Sequence, residues 1–452
     1  MSLSDARRVI GASAPRAPQA HLIETARGRH LFVADGSRLF DAGRELFEGF
    51  DAAMARGESS ELDDLLRRVG LGGRRLIGDE PLEPPPVRAL SLAIAQKCNL
   101  GCVYCYAEQG EFGGAPKNMS EADALGAVDL LLDKAEPGTG VTLAFLGGEP
   151  LVNRPALRAA TRRAHDLAEA RGAKVSFSIT TNGTLLTEDD ARFFEEYGFA
   201  VTISLDGPHE LHDALRPFKG GRGSFETTMR RVAPLLKLQR AMQVTARVTV
   251  TPTNLGLKRT LDEFVEAGFH SVGFSPMLSA PAGKGEMGAD HLERMLGEMI
   301  DCGREYELRV RFGQRYPFAN MVNAMREIHC GTHRPYPCGA GAGYLGVSAD
   351  GKLSACHRFV GDSDGAMGSL KNGVDRARQR DWLAARHVHR QEPCRSCWAR
   401  YLCGGGCHHE VLRRGRPACD YIRGWLHYCL EAYLRLSSEP GADGRDPAKS
   451  DG

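Results

Sequence analysis

A chain of 452 residues with 42% hydrophobic content can bury a large core, and its length suggests two or three domains. Lys plus Arg (58) balances Asp plus Glu (57), which leaves no basic surplus for nucleic acid and no acidic tail. The opening MSLSDARRVIGASAPRAPQ lacks a continuous apolar core and no stretch is long enough to span a bilayer, so a cytoplasmic globular protein is expected, with no nucleic-acid or membrane partner and with 13 cysteines kept reduced as candidate metal ligands.

In chain order, residues 20–77 read as a small α+β module, with strand patterns in HLIET, RHLFVAD and SRLFDAG and helical ones in RELFEGFDAAMARG and ELDDLLRRVG. GDEPLEPPPVRA (78–89) is proline-rich and acidic, as a linker would be. Within 88–310, strand-like runs at 89–96, 141–147, 174–181, 200–205, 243–250 and 271–276 alternate with helical ones such as SEADALGAVDLLLDKA and DDARFFEEYG. Six strand–helix units in series predict an α/β parallel sheet curled into an incomplete barrel. From 325 to 430 the sequence turns Gly-, Cys- and His-rich with little periodicity, too sparse in apolar residues to close a core unaided, so metal clusters are the expected cross-links. The helical CDYIRGWLHYCLEAYLRL leads into a polar tail, 437–452, expected to be disordered.

The chemistry concentrates in KCNLGCVYCYAEQG, where Cys98, Cys102 and Cys105 offer three thiolates in one loop after the apolar run ALSLAIAQ. Soft thiolates select an iron–sulfur cluster or zinc, and a cubane normally takes four, so three leave one iron open. Loops after barrel strands are where catalysis sits. The CxxxCxxC spacing, the aromatic Tyr104 before the third cysteine, and GGEP at Gly147, Gly148, Glu149 and Pro150 together resemble the radical S-adenosylmethionine (SAM) superfamily. That resemblance implies a partial (β/α)6 barrel and a 4Fe-4S cluster whose open iron binds SAM.

Seven further cysteines, Cys338, Cys356, Cys394, Cys397, Cys403, Cys407 and Cys419, are spaced like those of a SPASM domain. The resemblance implies two auxiliary 4Fe-4S clusters, making three in all. One would take Cys338, Cys356 and Cys407, with Cys330 or a substrate thiol as the fourth ligand, and the other Cys394, Cys397, Cys403 and Cys419. Cys429 competes with Cys419 but sits mid-helix among apolar neighbours, where it and Cys302 read as small hydrophobes. His329, His333, His357, His408 and His409 are expected to hydrogen-bond cluster sulfurs or substrate, and HVHR (387–390) to be a solvated loop.

By resemblance to sulfatase maturases, SAM would be held by Tyr104, Gly148 of GGEP, Ser204, Arg216 and a backbone contact near Met277; a glycine pair also lets a ligand approach the backbone. Asp206, at a strand end, is the candidate proton acceptor. Sulfatase maturases carry an aspartate directly after the cysteine equivalent to Cys356, and this chain has His357 there, which makes His357 the next candidate. The runs CNLGCVYCYAEQGEFGG, CHRFVG and CWARYLCGGGCHHE resemble thioether-forming peptide maturases, closest to quinohemoprotein amine dehydrogenase maturases through GEFGGAPKNMS and CDYIRGWLHYCLEAY, with the six-cysteine-peptide maturases next. The implied activity joins a Cys sulfur to Asp or Glu methylene carbons of a small cysteine-containing polypeptide, with flavodoxin or ferredoxin as electron donor. Residues 20–77 would then be a winged-helix-like element binding that polypeptide along a strand edge. Carbon–carbon cross-linking or epimerisation is the alternative reaction; a multi-cluster electron carrier and a zinc-stabilised binding module are the non-enzymatic ones.

Overall fold

The computed structural model describes residues 20–57, 59–71, 76–280 and 283–437, so the expected tail beyond Ser437 lies outside the described residues. The chain forms two compact units, one built from the chain up to Pro81, Ala289–Cys338 and the chain from Ala384, the other from Leu82–Gly288 and Gly339–Leu383. The stretch 325–430 is therefore shared between them. No helix among the described residues is long and apolar enough to cross a membrane.

In the first unit, β1 (Ala20–Thr25), β2 (Gly28–Val33) and β3 (Arg38–Asp41) form an antiparallel sheet in that order. The helices Arg44–Arg56 and Ser59–Arg68 follow and close a core of Leu31, Val33, Phe50, Ala53, Leu62 and Leu66. This small sheet is tied into the cysteine-rich segment. The His21 ring stacks on Trp398 with centroids 3.9 Å apart, and its Nε2 lies 2.9 Å from His427 Nδ1. Burial, with His427 beside it, holds the His21 pKa well below the usual imidazole range. In the same unit Tyr428 Oη and Arg435 Nε, on the helix Cys419–Ser437, donate at 2.6 and 2.8 Å to Glu307 on the helix Ala289–Arg311.

The second unit is built on one long sheet. β4 (Ala89–Gln96), β6 (Gly140–Gly147), β7 (Lys174–Thr181), β8 (Ala200–Ser204), β9 (Gln243–Val250) and β10 (Ser271–Pro276) lie side by side and parallel, the six strands the alternation predicts. β4 is buried along nearly its whole length, which explains its unbroken apolar character. β5 (Lys117–Asn118) pairs with the end of β4. On the other side of β4 the sheet continues through β11 (Tyr344–Val347), parallel to it, and then antiparallel through β12 (Lys352–Ser354), β13 (Ala366–Ser369) and β14 (Gly373–Val374).

Within the stretch beyond 325, Leu345, Val347, Leu353, Phe359 and Met367 are buried in the unit that holds β4, so these short strands take their core from the sheet they join. Strands of two to four residues carry too few alternations to register as a period.

Arg154 braces the carboxyl edge of this sheet. It starts the helix Arg154–Ala170 after GGEP, donates to Leu151 O at 2.8 Å and to Leu185 O, and forks onto Asp190 at 2.8–3.0 Å. Burial pushes the Asp190 carboxyl up, but Arg154, Thr187 and Arg158 outweigh it, so its pKa is lowered. The stability from this group is present above the unfolded-state value of about 3.9 and is lost as pH falls through the lower folded value. Asp190→Asn should lower the unfolding midpoint in urea at pH 7 by an amount that shrinks toward pH 3, followed by circular dichroism.

Candidate active site

The three clustered cysteines lie in the loop leaving the carboxyl end of β4. Cys98, Cys102 and Cys105 share this one short loop, and Cys98 and Cys102 each feel Cys105 electrostatically. Burial pushes the Cys98 thiol up, opposed by the Leu100 amide, and pushes Cys102 up to about 12. Two N–H groups point at Cys98 Sγ: the Leu100 amide at 3.4 Å and Asn182 Nδ2 at 3.7 Å.

GGEP closes over this loop. An added Cβ on Gly147 (φ 139°) would lie 2.4 Å from Ala95 O, and one on Gly148 would lie 2.3 Å from Lys97 O. The backbone that approaches these glycines on this side is the chain's own. The Gly148 and Glu149 amides donate to Ala95 O (2.8 Å) and Lys97 O (3.0 Å). The Glu149 side chain is fully buried: Oε1 accepts from the Leu151 amide (3.0 Å) and Thr181 Oγ1 (2.7 Å), and Oε2 from the Asn182 amide (2.8 Å). Burial raises its pKa against those bonds.

Tyr104, Leu215 and Met277 pack together, and the Arg216 guanidinium lies 5.8 Å from the Tyr104 ring centre. The Tyr104 hydroxyl donates to Asp206 Oδ2 and accepts from Arg216 Nη1, which is itself 3.4 Å from that carboxylate. The Thr249 amide donates to Asp206 Oδ1 at 3.0 Å. Burial holds the Tyr104 phenol well above its ordinary range. Burial alone would lower Arg216, but Cys102, Tyr104 and Asp206 raise it well above. Ser204 ends β8 two residues before Asp206, and the Met277 amide donates to Val250 O at 2.8 Å. Tyr104, Asp206, Arg216 and Met277 are therefore neighbours at the carboxyl edge. Asp206, the candidate proton acceptor, has both oxygens engaged and no solvent exposure.

In the other unit, Cys394, Cys397, Cys403 and Cys419 are mutual electrostatic neighbours, and burial pushes Cys394 up to about 12. Cys429 is buried mid-helix beside Glu307 instead. Cys330, Cys338 and Cys407 belong to this unit, while Cys356 belongs to the sheet unit. Among the described residues no three His, Cys, Asp or Glu side chains converge tightly enough for a single metal ion.

Of these histidines, His329 Nδ1 lies 3.1 Å from Tyr433 Oη, His333 Nε2 accepts from the Gly36 amide at 3.0 Å, and His357 Nδ1 lies 2.8 Å from Tyr344 Oη. HVHR is not the solvated loop its polarity suggests. His387 and Val388 are buried, and His389 bridges Asp79 (2.8 Å) and Tyr401 (2.6 Å). The sequence reading also passed over Asn99, Thr181, Asn182 and Thr184, although the polar run TTNGT stands at the carboxyl end of β7, where a parallel sheet places its ligands.

Residues 92–267 match the model of the Radical SAM superfamily. The serine-type anaerobic sulfatase-maturating enzyme of Klebsiella aerogenes is 28% identical over 367 residues, covering 76% of this chain and 85% of that protein. The cysteine-type enzyme of Clostridium novyi is 32% identical over 207 residues, covering 42% and 52%. Among solved structures, native anSMEcpe with bound AdoMet and Kp18Cys peptide superposes with a TM-score of 0.63 at 20% identity, covering 78% of this chain and 98% of that one. Streptococcus suis SuiB bound to precursor peptide SuiA gives 0.51 at 14%, covering 89% and 97%.

The chain carries a radical SAM domain, closely similar to the sulfatase-maturating enzymes, whose cofactors are SAM and a 4Fe-4S cluster. The residues fit that cluster: three thiols on one short loop that feel one another, two N–H donors on one of them and the Arg216 cation acting on Cys102. Gly148→Ala should push the cysteine loop off its seat and remove roughly four irons per chain, one cubane's worth. Iron analysis after anaerobic reconstitution checks this, with unchanged far-ultraviolet circular dichroism showing that the sheet survives.

Proposed function

We propose that this protein is a radical SAM maturase of a small polypeptide and that it forms thioether cross-links from cysteine sulfur to Asp or Glu methylene carbons. The observation that carries the maturase reading is the second thiol set, Cys394, Cys397, Cys403 and Cys419, in a protein whose radical SAM domain already has its own three cysteines. Such a set suits an auxiliary 4Fe-4S cluster, which gives the electron of an oxidative cross-link an exit. Cys338, Cys356 and Cys407, with Cys330 or a substrate thiol, are the proposed ligands of another. The similarity to sulfatase-maturating enzymes and to a structure holding a precursor peptide supports a polypeptide substrate. The thioether subtype rests on the sequence runs around Cys105, Cys356 and Cys397, and a cytoplasmic location with a flavodoxin or ferredoxin donor belongs to the same proposal.

Bound cluster and SAM supply one-electron chemistry that removes a substrate hydrogen atom. The chain's own part is to hold and orient. Tyr104, Gly148, Ser204, Arg216 and Met277 are the proposed SAM contacts. Asp206 keeps the Tyr104 hydroxyl and the Arg216 guanidinium in place, and it is also the proposed acceptor of the thiol proton. Incubation of reconstituted enzyme with SAM, reductant and a candidate cysteine-containing polypeptide should yield 5′-deoxyadenosine and a product lighter by two hydrogens per thioether, read by mass spectrometry. A product that keeps every alkylatable thiol but still loses hydrogens would favour the carbon–carbon alternative.

Asp206→Asn separates the two roles of that residue. It leaves the buried Arg216 without its anionic partner, a change that costs about 3–5 kcal/mol where both charges are buried, so SAM cleavage and cross-linking should fall together. Loss of cross-linking alone, by roughly 10²-fold, would mark Asp206 as a base.

For the substrate polypeptide we propose the free side of β3, since β3 pairs with β2 alone among the described residues. Adjacent residues of a strand point their N–H groups to opposite sides. Of Leu39→Pro and Phe40→Pro, one should therefore unfold the small sheet and the other should weaken polypeptide binding while leaving SAM cleavage unchanged, measured by fluorescence anisotropy. Unaltered affinity in both would remove β3 from the binding surface.

A further inference from the structure

The polar run at the end of β7 reaches the cysteine loop through one side chain. Asn182 is 5% exposed and every polar group on it is used. Its Oδ1 accepts from the Thr184 amide (2.9 Å) and Thr184 Oγ1 (2.7 Å), which fixes the orientation of the carboxamide, since a backbone N–H can only donate. Its Nδ2 then presents two hydrogens, one to Asn99 Oδ1 (2.9 Å) and one to Cys98 Sγ (3.7 Å). Asn99 Nδ2 donates to Thr184 Oγ1 at 2.8 Å and closes the ring of contacts. Behind it the Asn182 amide and the Thr181 hydroxyl are both held by Glu149.

We infer that Asn182 is a positioning residue that sets the reduction potential of the cluster held by Cys98, Cys102 and Cys105, and that Glu149 acts on the cluster through Asn182. The inference deepens the radical SAM assignment and rests on it. An N–H bond to a ligating sulfur is stronger when the cluster carries the extra electron, because the sulfur is then more negative; it favours the reduced form. Together with the Leu100 N–H, the carboxamide also holds Cys98 in place. Glu149, buried and saturated with donors, holds the Asn182 backbone amide at 2.8 Å.

The sign and order of the effect follow. Asn182→Ala removes the donor, and Asn182→Asp replaces it with a carboxylate of nearly the same shape that repels the added electron. At a fixed solution potential near the wild-type midpoint, the ratio of reduced to oxidised cluster should fall severalfold in Asn182→Ala and by about tenfold or more in Asn182→Asp, a tenfold change being the usual unit for a one-electron couple.

The measurement is a redox titration of reconstituted full-length protein followed by electron paramagnetic resonance, reading only the signal that changes when SAM is added, so that other clusters do not contribute. Iron content is determined in parallel. A side chain that merely supports the fold would alter iron content or stability and leave the potential of the surviving cluster where it was. Equal potentials in wild type and both variants overturn the inference. If both variants shed the cluster, Thr184→Val decides: it only loosens the carboxamide, should shift the ratio in the same direction by a smaller factor, and refutes the idea if it shifts nothing. A wild-type protein with no SAM-responsive signal would instead refute the cluster assignment itself.

Discussion

The carboxyl edge of the sheet depends on how closely the end of β6 lies against the chain leaving β4. Two carbonyls, Ala95 O and Lys97 O, occupy the space where side chains of residues 147 and 148 would stand. Only a glycine pair permits that approach, and Gly147 also takes a φ of 139° that other residues rarely adopt. Once the backbones are in contact, the next residue has no route to water, and Glu149 turns inward. A buried carboxylate is tolerated only when its oxygens are filled. Leu151, Thr181 and Asn182 fill them, which joins the ends of β4, β6 and β7 into one piece before any cofactor binds.

A second buried charge works against that background. Arg216 has lost most of its hydration, and a single anionic partner at 3.4 Å with an intervening phenol seldom compensates for that loss. Its other charged neighbours are thiols: Cys102 raises Arg216, and Arg216 in turn lowers Cys102, whose own burial drives it the other way. The cation therefore sits where a thiolate is required but desolvation opposes one. Asp206 and Tyr104 are better understood as what keeps Arg216 in that place than as independent groups.

How much of this was legible in the sequence depended on the physical range of each signal. The six long parallel strands were readable because each is a run of five to eight residues separated by amphipathic helices, and the cysteine loop because its spacing is local. β11 to β14 were not, since a strand of two to four residues shows no period and gains its stability from the sheet it joins. HVHR failed for a related reason: composition reports average polarity, whereas the half-buried His389 is held by Asp79 and Tyr401, 310 and 12 residues away, which engage both ring nitrogens. The engagement of Asp206 was invisible too, because strand parity gives the direction of a side chain and not the partners waiting there.

The substitution of His357 for the aspartate of sulfatase maturases gains a physical meaning from the contacts around it. An aspartate after the cluster cysteine is an acceptor and can hold a proton wherever one is offered. His357 Nδ1 is committed to the Tyr344 hydroxyl at 2.8 Å, and that hydroxyl reaches Ser91 Oγ at 2.9 Å on β4. The same short turn is pinned on its other side, since the Arg358 guanidinium lies 5.0 Å from the ring centre of Tyr106, the residue after Cys105. Tyr106 feels both Cys105 and Cys356, so the loops carrying those two cysteines are in electrostatic contact within one unit. A histidine there exchanges a freely accepting carboxylate for a ring tied to a hydroxyl chain that runs back into β4.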